Sequence, residues 1–185
     1  RTLFFLHMDK TTIENVELAY LGLDDYYQLK EAMQSVYASF DQSYWKEEHI
    51  KTLINLFPEG QAVIKVNGQL AGCALSIIVD FEEFEGQHTY SDVTDNYTFK
   101  THRADGNVLY GVDVFIKDEY RGLRLGRRLY DYRKELCEKL NLKAIVFGAR
   151  MPNYYKYSTE LNPKQYIEKV KSREIFDPVL NFQIS

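Results

Sequence analysis

The residues best suited to chemistry lie together between Arg121 and Arg128, in the run Arg-Gly-Leu-Arg-Leu-Gly-Arg-Arg. Arg121, Arg124, Arg127 and Arg128, with Gly122 and Gly126, come after an apolar segment rich in β-formers, Val112 to Ile116, and a polar bend at Lys117 to Glu119. Glycine lets a backbone approach a ligand closely, and the first N–H groups of a helix have no partner inside it. The helix dipole adds roughly 0.3–1 kcal/mol per anionic contact, and arginine forks match phosphate oxygens. The chemistry this run could do is therefore to hold a phosphate or pyrophosphate. The same residues would also suit a basic helix start that closes an ordinary β–α turn.

Several elements must position that loop. Val112, Val114 and Ile116 alternate, which predicts a strand with these three on one side. Leu125, Leu129, Tyr132, Leu136 and Leu140 recur at spacings of three and four, so a helix beginning at Gly126 has one apolar face. Lys143 to Gly148 reads as a buried strand after it, and strand, helix, strand implies a parallel crossover.

Upstream, residues 1 to 12 suggest a short extra strand, and Val16 to Leu21 a first strand ended by Gly22. Asp24 or Asp25 can cap a helix whose face is Tyr26, Leu29, Met33, Val36 and Phe40. A second helix, Ser43 to Leu56, turns Trp45, His49, Leu53 and Phe57 inward before Pro58 and Gly60 stop it. Asn67-Gly68 between Gln61–Val66 and Leu70–Asp80 is a two-residue hairpin signal, because both turn positions need positive φ.

Asp80, Glu82, Glu83 and Glu85 form an acidic stretch that would either attract a cationic amine or serve as a solvated connection. Residues 86 to 107 lack a clear period, and structureless segments of that length are often binding lids. His102 within them is either a cleft residue or a loop histidine without a role, and His49 reads as packed rather than ligating. Downstream, Asn162, Pro163 and Gln165 supply a cap, an N1 proline and a box partner for a helix to about Lys171. Asp177-Pro178 ends it, and the alternation of Leu180, Phe182 and Ile184 predicts a last strand.

The run Arg121-Gly122-Leu123-Arg124-Leu125-Gly126 resembles motif A of the GNAT superfamily of acetyl-CoA-dependent N-acetyltransferases, Arg/Gln-x-x-Gly-x-Gly/Ala after the fourth strand. It departs from that pattern at Arg124, where the family usually has glycine. The element order β-α-α-β-β-β-α-β-α-β resembles the GNAT fold over nearly the whole chain. The resemblance implies an α/β fold, an αβα sandwich on a mixed sheet that is mostly antiparallel with strands 4 and 5 parallel. The motif-A run with Leu-Tyr after it, Met151-Pro-Asn-Tyr and Asp177-Pro-Val-Leu-Asn-Phe-Gln resemble GNAT domains fused ahead of a carbon-nitrogen hydrolase (nitrilase-like) domain.

The GNAT resemblance implies acetyl-CoA as the co-substrate, held by Val114, Phe115, Ile116, Arg121, Gly122, Leu123, Arg124, Leu125, Gly126 and Arg127. It implies a backbone N–H at the splayed end of the fourth strand, around Val114 to Ile116, that polarises the thioester carbonyl. The implied acceptor is a small or peptidic amine that attacks only when neutral, and a lysine-like amine costs roughly 4–5 kcal/mol to deprotonate in water. Asp113, on the fourth strand, is the candidate base by the same resemblance, or else a carboxylate paired on the face opposite Val112 and Val114. Tyr157 is the implied acid for the departing thiolate, seven residues past Arg150, with Tyr154 and Tyr155 close enough to substitute. The alternative is a non-catalytic acyl-CoA-binding domain that regulates or docks on a partner enzyme.

The totals agree with this class. A chain of 185 residues without repeat or linker reads as a single domain over 1–185, and its opening at Arg1 makes it a candidate fragment of a longer chain. A net charge of −4 argues against nucleic acid. No run is long and apolar enough to span a membrane, and no signal peptide is visible. Cys73 and Cys137 sit inside predicted elements at a spacing that suits no metal, as expected for buried thiols in a cytoplasmic protein.

Overall fold

A computed structural model describes residues 12–38, 44–84, 88–148 and 151–184. The suggested N-terminal strand up to residue 11, and Phe40, Ser43, Glu85 and Arg150, lie outside the described residues. The chain divides into two compact units, Arg1–Val146 and Phe147–Ser185.

The first unit is built on a sheet of β1 (Val16–Tyr20), β2 (Gln61–Val66), β3 (Gln69–Val79), β4 (Val108–Ile116) and β5 (Ala144–Phe147), in that order. Neighbours from β1 to β4 are antiparallel, and β4 and β5 run parallel. Asn67 and Gly68 turn β2 into β3 at φ of 49° and 79°, the left-handed geometry their types favour. Alternation sends each strand's side chains to two faces. On one face α1 (Tyr26–Val36) and α2 (Glu47–Leu56) bury Leu29, Met33, Ile50 and Leu53 against Val63, Cys73, Leu75 and Ile77. On the other, α4 (Leu125–Lys139) buries Leu125 and Leu129 against Ala62, Ile64 and Ala74. Tyr132 is half-buried on that face and Leu140 is exposed. Both faces of the sheet therefore carry helices, as the resemblance implies.

The described part of the segment expected to be a structureless lid, residues 88–107, is organised. Thr89 and Asp92 form a reciprocal capping box that starts a short helix, α3 (Tyr90–Thr94). Asp95, Asn96, Tyr97 and Phe99 then take positive φ, which turns the chain back and buries Phe99 completely.

In the second unit, α5 (Pro163–Lys171) begins at the Asn162 box as expected. The predicted last strand is instead a helix, α6 (Pro178–Ile184). Asp177 Oδ1 accepts from the N–H groups of Val179 and Leu180, and Pro178 occupies the first helical position. That capping satisfies backbone donors locally and outweighs the two-residue alternation. Tyr166, Val170, Ile175 and Leu180 form the core of this unit.

No described helix is long and apolar enough to cross a membrane. Among the described residues, no three of His, Cys, Asp and Glu gather as a metal site.

Candidate functional site

The site is organised by an irregularity in β4. Ser76 pairs with Gly111 and Leu75 with Asp113, so Val112 is an extra residue on β4, a β-bulge. A bulge reverses which side chains face which layer. Val112 and Phe115 accordingly pack with α1 and α2, whereas Val114 and Ile116 pack toward α4. The expectation that Val112, Val114 and Ile116 share one side is therefore corrected: Val112 is itself the extra residue, and beyond it the alternation is shifted by one.

The bulge also brings Asp113 onto the face of Val112, opposite Val114, and its half-buried carboxylate is taken up by donors. Oδ1 accepts from the Tyr37 hydroxyl at 2.7 Å and from the N–H of Val114 at 2.8 Å. Oδ2 accepts from the Trp45 indole at 3.0 Å. Tyr90 donates to the Val112 carbonyl at 2.8 Å, one residue away. Aromatic rings enclose this side: Trp45 lies against Phe99 and Tyr97, and Tyr37 meets the edge of Phe115.

On the α4 side of the same bulge sits Arg133, 1% exposed. Its Nε donates to Ser76 Oγ at 3.1 Å, and one terminal nitrogen donates to both the Leu75 carbonyl at 2.7 Å and the Asp113 carbonyl at 2.6 Å. Burial lowers its pKa, opposed by Tyr130, Asp113 and Cys73. Sequence patterns do not single out Arg133 as a site residue. The one signal is its place on the helix's apolar face, four residues after Leu129 and three before Leu136. Tyr37 and Ser76 carry no comparable signal, and Trp45 signals only an inward position on the second predicted helix.

Beyond β4 the chain makes a short 3-10 turn at Asp118–Tyr120 and enters the basic loop. Arg121 is exposed and pairs with Asp118 at 2.7 Å. Gly122 has φ +83°, with nothing within 4 Å of the position a Cβ would take. Leu123 is 41% exposed. Arg124 adopts φ 58°, ψ 19° and caps α4 without a side-chain hydrogen bond. The departure from the glycine pattern thus has a local explanation, since the arginine takes the left-handed conformation glycine would supply. Leu125 and Gly126 are buried in the first turn, and Arg127 and Arg128 are exposed. The helix starts at Leu125, one residue earlier than expected, and its first backbone bond runs from Arg128 N–H to the Arg124 carbonyl. The preceding N–H groups point out of the helix start beside these arginines, an arrangement that fits an anionic phosphate.

The structure brings Val114, Phe115, Ile116, Asp113 and the loop together in one unit. Tyr157 belongs to the other unit, where its half-buried ring lies 5.6 Å from that of Tyr166. Tyr154 donates to the Leu161 carbonyl, and Tyr155 is 72% exposed. His102 does not stand free: its Nδ1 accepts from the Ile78 N–H at 3.1 Å, its ring stacks on Phe57, and burial lowers its pKa. Glu83 is ion-paired with Arg103, and Asp80 accepts from Asn107. These two members of the acidic stretch serve as connections between segments.

Comparison with known proteins agrees with this architecture. Residues 26–157 match the Acetyltransferase (GNAT) family. The chain is 41% identical over 140 residues to "Probable hydrolase YhcX" of Bacillus subtilis (strain 168), covering 76% of this chain and 27% of that protein. It is 38% identical over 138 residues to "Uncharacterized N-acetyltransferase YkwB" of the same organism, covering 75% and 61%. The chain thus spans less than two thirds of either relative. Among solved structures it resembles the loading GNATL domain of CurA from Lyngbya majuscula, at 21% identity and a TM-score of 0.77 over 91% of this chain and 82% of that one.

Proposed function

Because the chain belongs to the acetyltransferase (GNAT) family, we propose that it is an N-acetyltransferase that moves the acetyl group of acetyl-CoA directly to a primary amine. The observation that carries this reading is the start of α4, with its outward N–H groups, two left-handed residues at Gly122 and Arg124, and flanking arginines. The N–H of Val114, which donates to Asp113 Oδ1 at 2.8 Å, is the candidate donor to the thioester carbonyl once that contact yields, and Phe115 and Ile116 continue the strand toward the loop. Acetyl-CoA supplies the activated acyl group; the protein supplies position and a fixed dipole.

The amine reading draws on the name that YkwB bears. Its acceptor is a small or peptidic amine that must lose a proton. Asp113 is the nearest carboxylate on the strand, but three donors already occupy it. It holds the bulge in shape and acts as base only if one of these donors yields. Tyr157 is the acid by family pattern. A cytoplasmic setting and a carbon-nitrogen hydrolase partner in a longer chain complete the proposal.

The second reading, an acyl-CoA-binding domain that regulates an attached or docked enzyme, is favoured by that same engaged carboxylate. The name of YhcX suggests a hydrolase as the partner. Free-CoA release from acetyl-CoA across a panel of amines decides between them. Release that depends on an amine supports transfer, and tight CoA binding without release supports regulation. Tyr157→Phe should keep binding and lower turnover roughly ten- to a thousand-fold.

A further inference from the structure

We propose that Arg133 is a positioning residue: by holding the Asp113 carbonyl from the α4 side, it fixes the direction of the Val114 N–H that meets the acyl carbonyl. The proposal rests on the acyl-transfer reading above. A trans peptide is planar, with its C=O and N–H on opposite sides. The carbonyl of Asp113 and the N–H of Val114 belong to one such plane. Arg133 holds the carbonyl end at 2.6 Å, so the N–H end must point the other way, where Asp113 Oδ1 meets it at 2.8 Å.

The bulge is what makes this clamp necessary. The pairing of β3 with β4 changes register between Leu75 and Ser76, opposite the extra residue on β4. Regular ladder bonding fails there, and buried carbonyls need another donor. Arg133 contacts both strands at that break, through the Leu75 carbonyl and Ser76 Oγ on β3 and the Asp113 carbonyl on β4. A hydrocarbon side chain would leave these acceptors unmet, and lysine, shorter and with a single nitrogen, cannot hold both carbonyls and Ser76 Oγ together.

A fully buried guanidinium is costly when nothing more than packing is required. Among the described residues no carboxylate lies within ion-pair distance of Arg133, and its second terminal nitrogen has no hydrogen-bond partner. The charge is retained where its donors reach the peptide adjoining the acyl site. Because Arg133 stands on α4, the helix whose first turn faces the phosphates, it ties the cofactor loop and the carbonyl-binding strand to one rigid element.

The chain has a single tryptophan, Trp45, and its indole donates to the Asp113 carboxylate on the opposite face of β4. It reports the bulge without any need for turnover. Arg133→Lys should remain folded by far-UV circular dichroism, bind acetyl-CoA with nearly native affinity, and show altered Trp45 emission at temperatures far below unfolding. Its kcat should fall on the order of tenfold to a hundredfold with little change in amine KM, as for a misplaced reacting group. Native Trp45 emission in the folded variant overturns the proposal, and so does a native kcat. Should wild type acetylate no amine, the transfer reading fails and Trp45 emission alone decides the clamp. Should Arg133→Lys not fold, Ser76→Ala removes one contact and is read in the same way: a shift of Trp45 emission supports the clamp and none overturns it.

Discussion

The loop Arg121–Gly126 and the bulge around Asp113 are close in sequence and opposite in how they use their polar groups. At the loop, backbone N–H groups point outward and the arginines are exposed. At the bulge, the carboxylate and two carbonyls are each met by donors from Tyr37, Trp45, Val114 and Arg133. Free donors can take a ligand; committed donors hold a shape until one is released. On the proposed function the loop would hold the phosphates and the bulge would set geometry, with the Val114 N–H exchanging Asp113 Oδ1 for the acyl carbonyl, and substitutions in each should separate along that line.

The largest effect is expected at the loop. Gly126→Asp places a side chain and a negative charge in the buried first turn of α4. Acetyl-CoA should raise the Tm of wild type as ligand concentration rises, because a ligand that binds only the native state stabilises it. The variant should lose that shift altogether. A retained shift in Gly126→Asp would remove the loop from the binding site and erase the contrast.

At the bulge the expected loss is of stability. Asp113→Asn turns one acceptor into a donor that faces either Tyr37 or Trp45. A buried polar group left unmet costs about 1–3 kcal/mol, and each kcal/mol lowers Tm by roughly 2–4 °C at this chain length. Acetyl-CoA affinity should stay within a few-fold of native. A full-strength Tm together with abolished turnover would instead identify Asp113 as the base.

What is legible in the sequence depends on where each feature is encoded. The Asn67-Gly68 turn, the Asn162 cap and the strand–loop–helix around Gly122 depend on neighbours in the chain, so residue types alone reveal them. The bulge at Val112 is contacted by Arg133, some twenty residues away on a helix, which also reaches Ser76 on another strand. A two-residue period along β4 cannot sense them, and so it puts Val112 and Val114 on one side. The last helix shows the opposite failure. Asp177-Pro178 repeats the capping chemistry of Asn162-Pro163, yet the alternation of Leu180, Phe182 and Ile184 masks that local signal. For Tyr157, the family pattern is the only warrant.

A smaller, pH-dependent effect tests whether the committed side of the contrast extends to β3. His102 accepts from the Ile78 N–H and so is neutral in the fold, and burial depresses its pKa below the ordinary value. The unfolded chain then binds more protons just below pH 6.5, so stability falls as pH drops through that value toward the folded pKa. Above it the contribution is constant. His49 is shifted in the same direction by burial, so the informative quantity is the difference between wild type and His102→Gln. The variant's Tm should vary less between pH 7.5 and 5.5, the window spanning the ordinary histidine pKa. An unchanged pH profile would show that His102 contributes nothing there.

The smallest effect concerns Arg124, where the loop departs from glycine. A non-glycine residue in the left-handed region costs roughly 1–2 kcal/mol, and glycine gives back part of the gain through its freer unfolded chain, about 0.4–1 kcal/mol. Arg124→Gly should therefore raise Tm by a few degrees or less, whereas Arg124→Ala keeps the strained conformation and should not. For binding, the exposed side chain has no ion pair among the described residues, and the loop already holds the shape glycine would give it. Acetyl-CoA affinity should then be unchanged or slightly tighter in Arg124→Gly. A guanidinium seated on a phosphate would behave otherwise, since a charge-assisted contact is worth roughly 1.5–3 kcal/mol. Both substitutions would then lose about ten- to a hundred-fold in affinity, and salt would shrink the loss. Titrating the two variants at low and high salt separates a left-handed residue that shapes the loop from one that also grips the ligand.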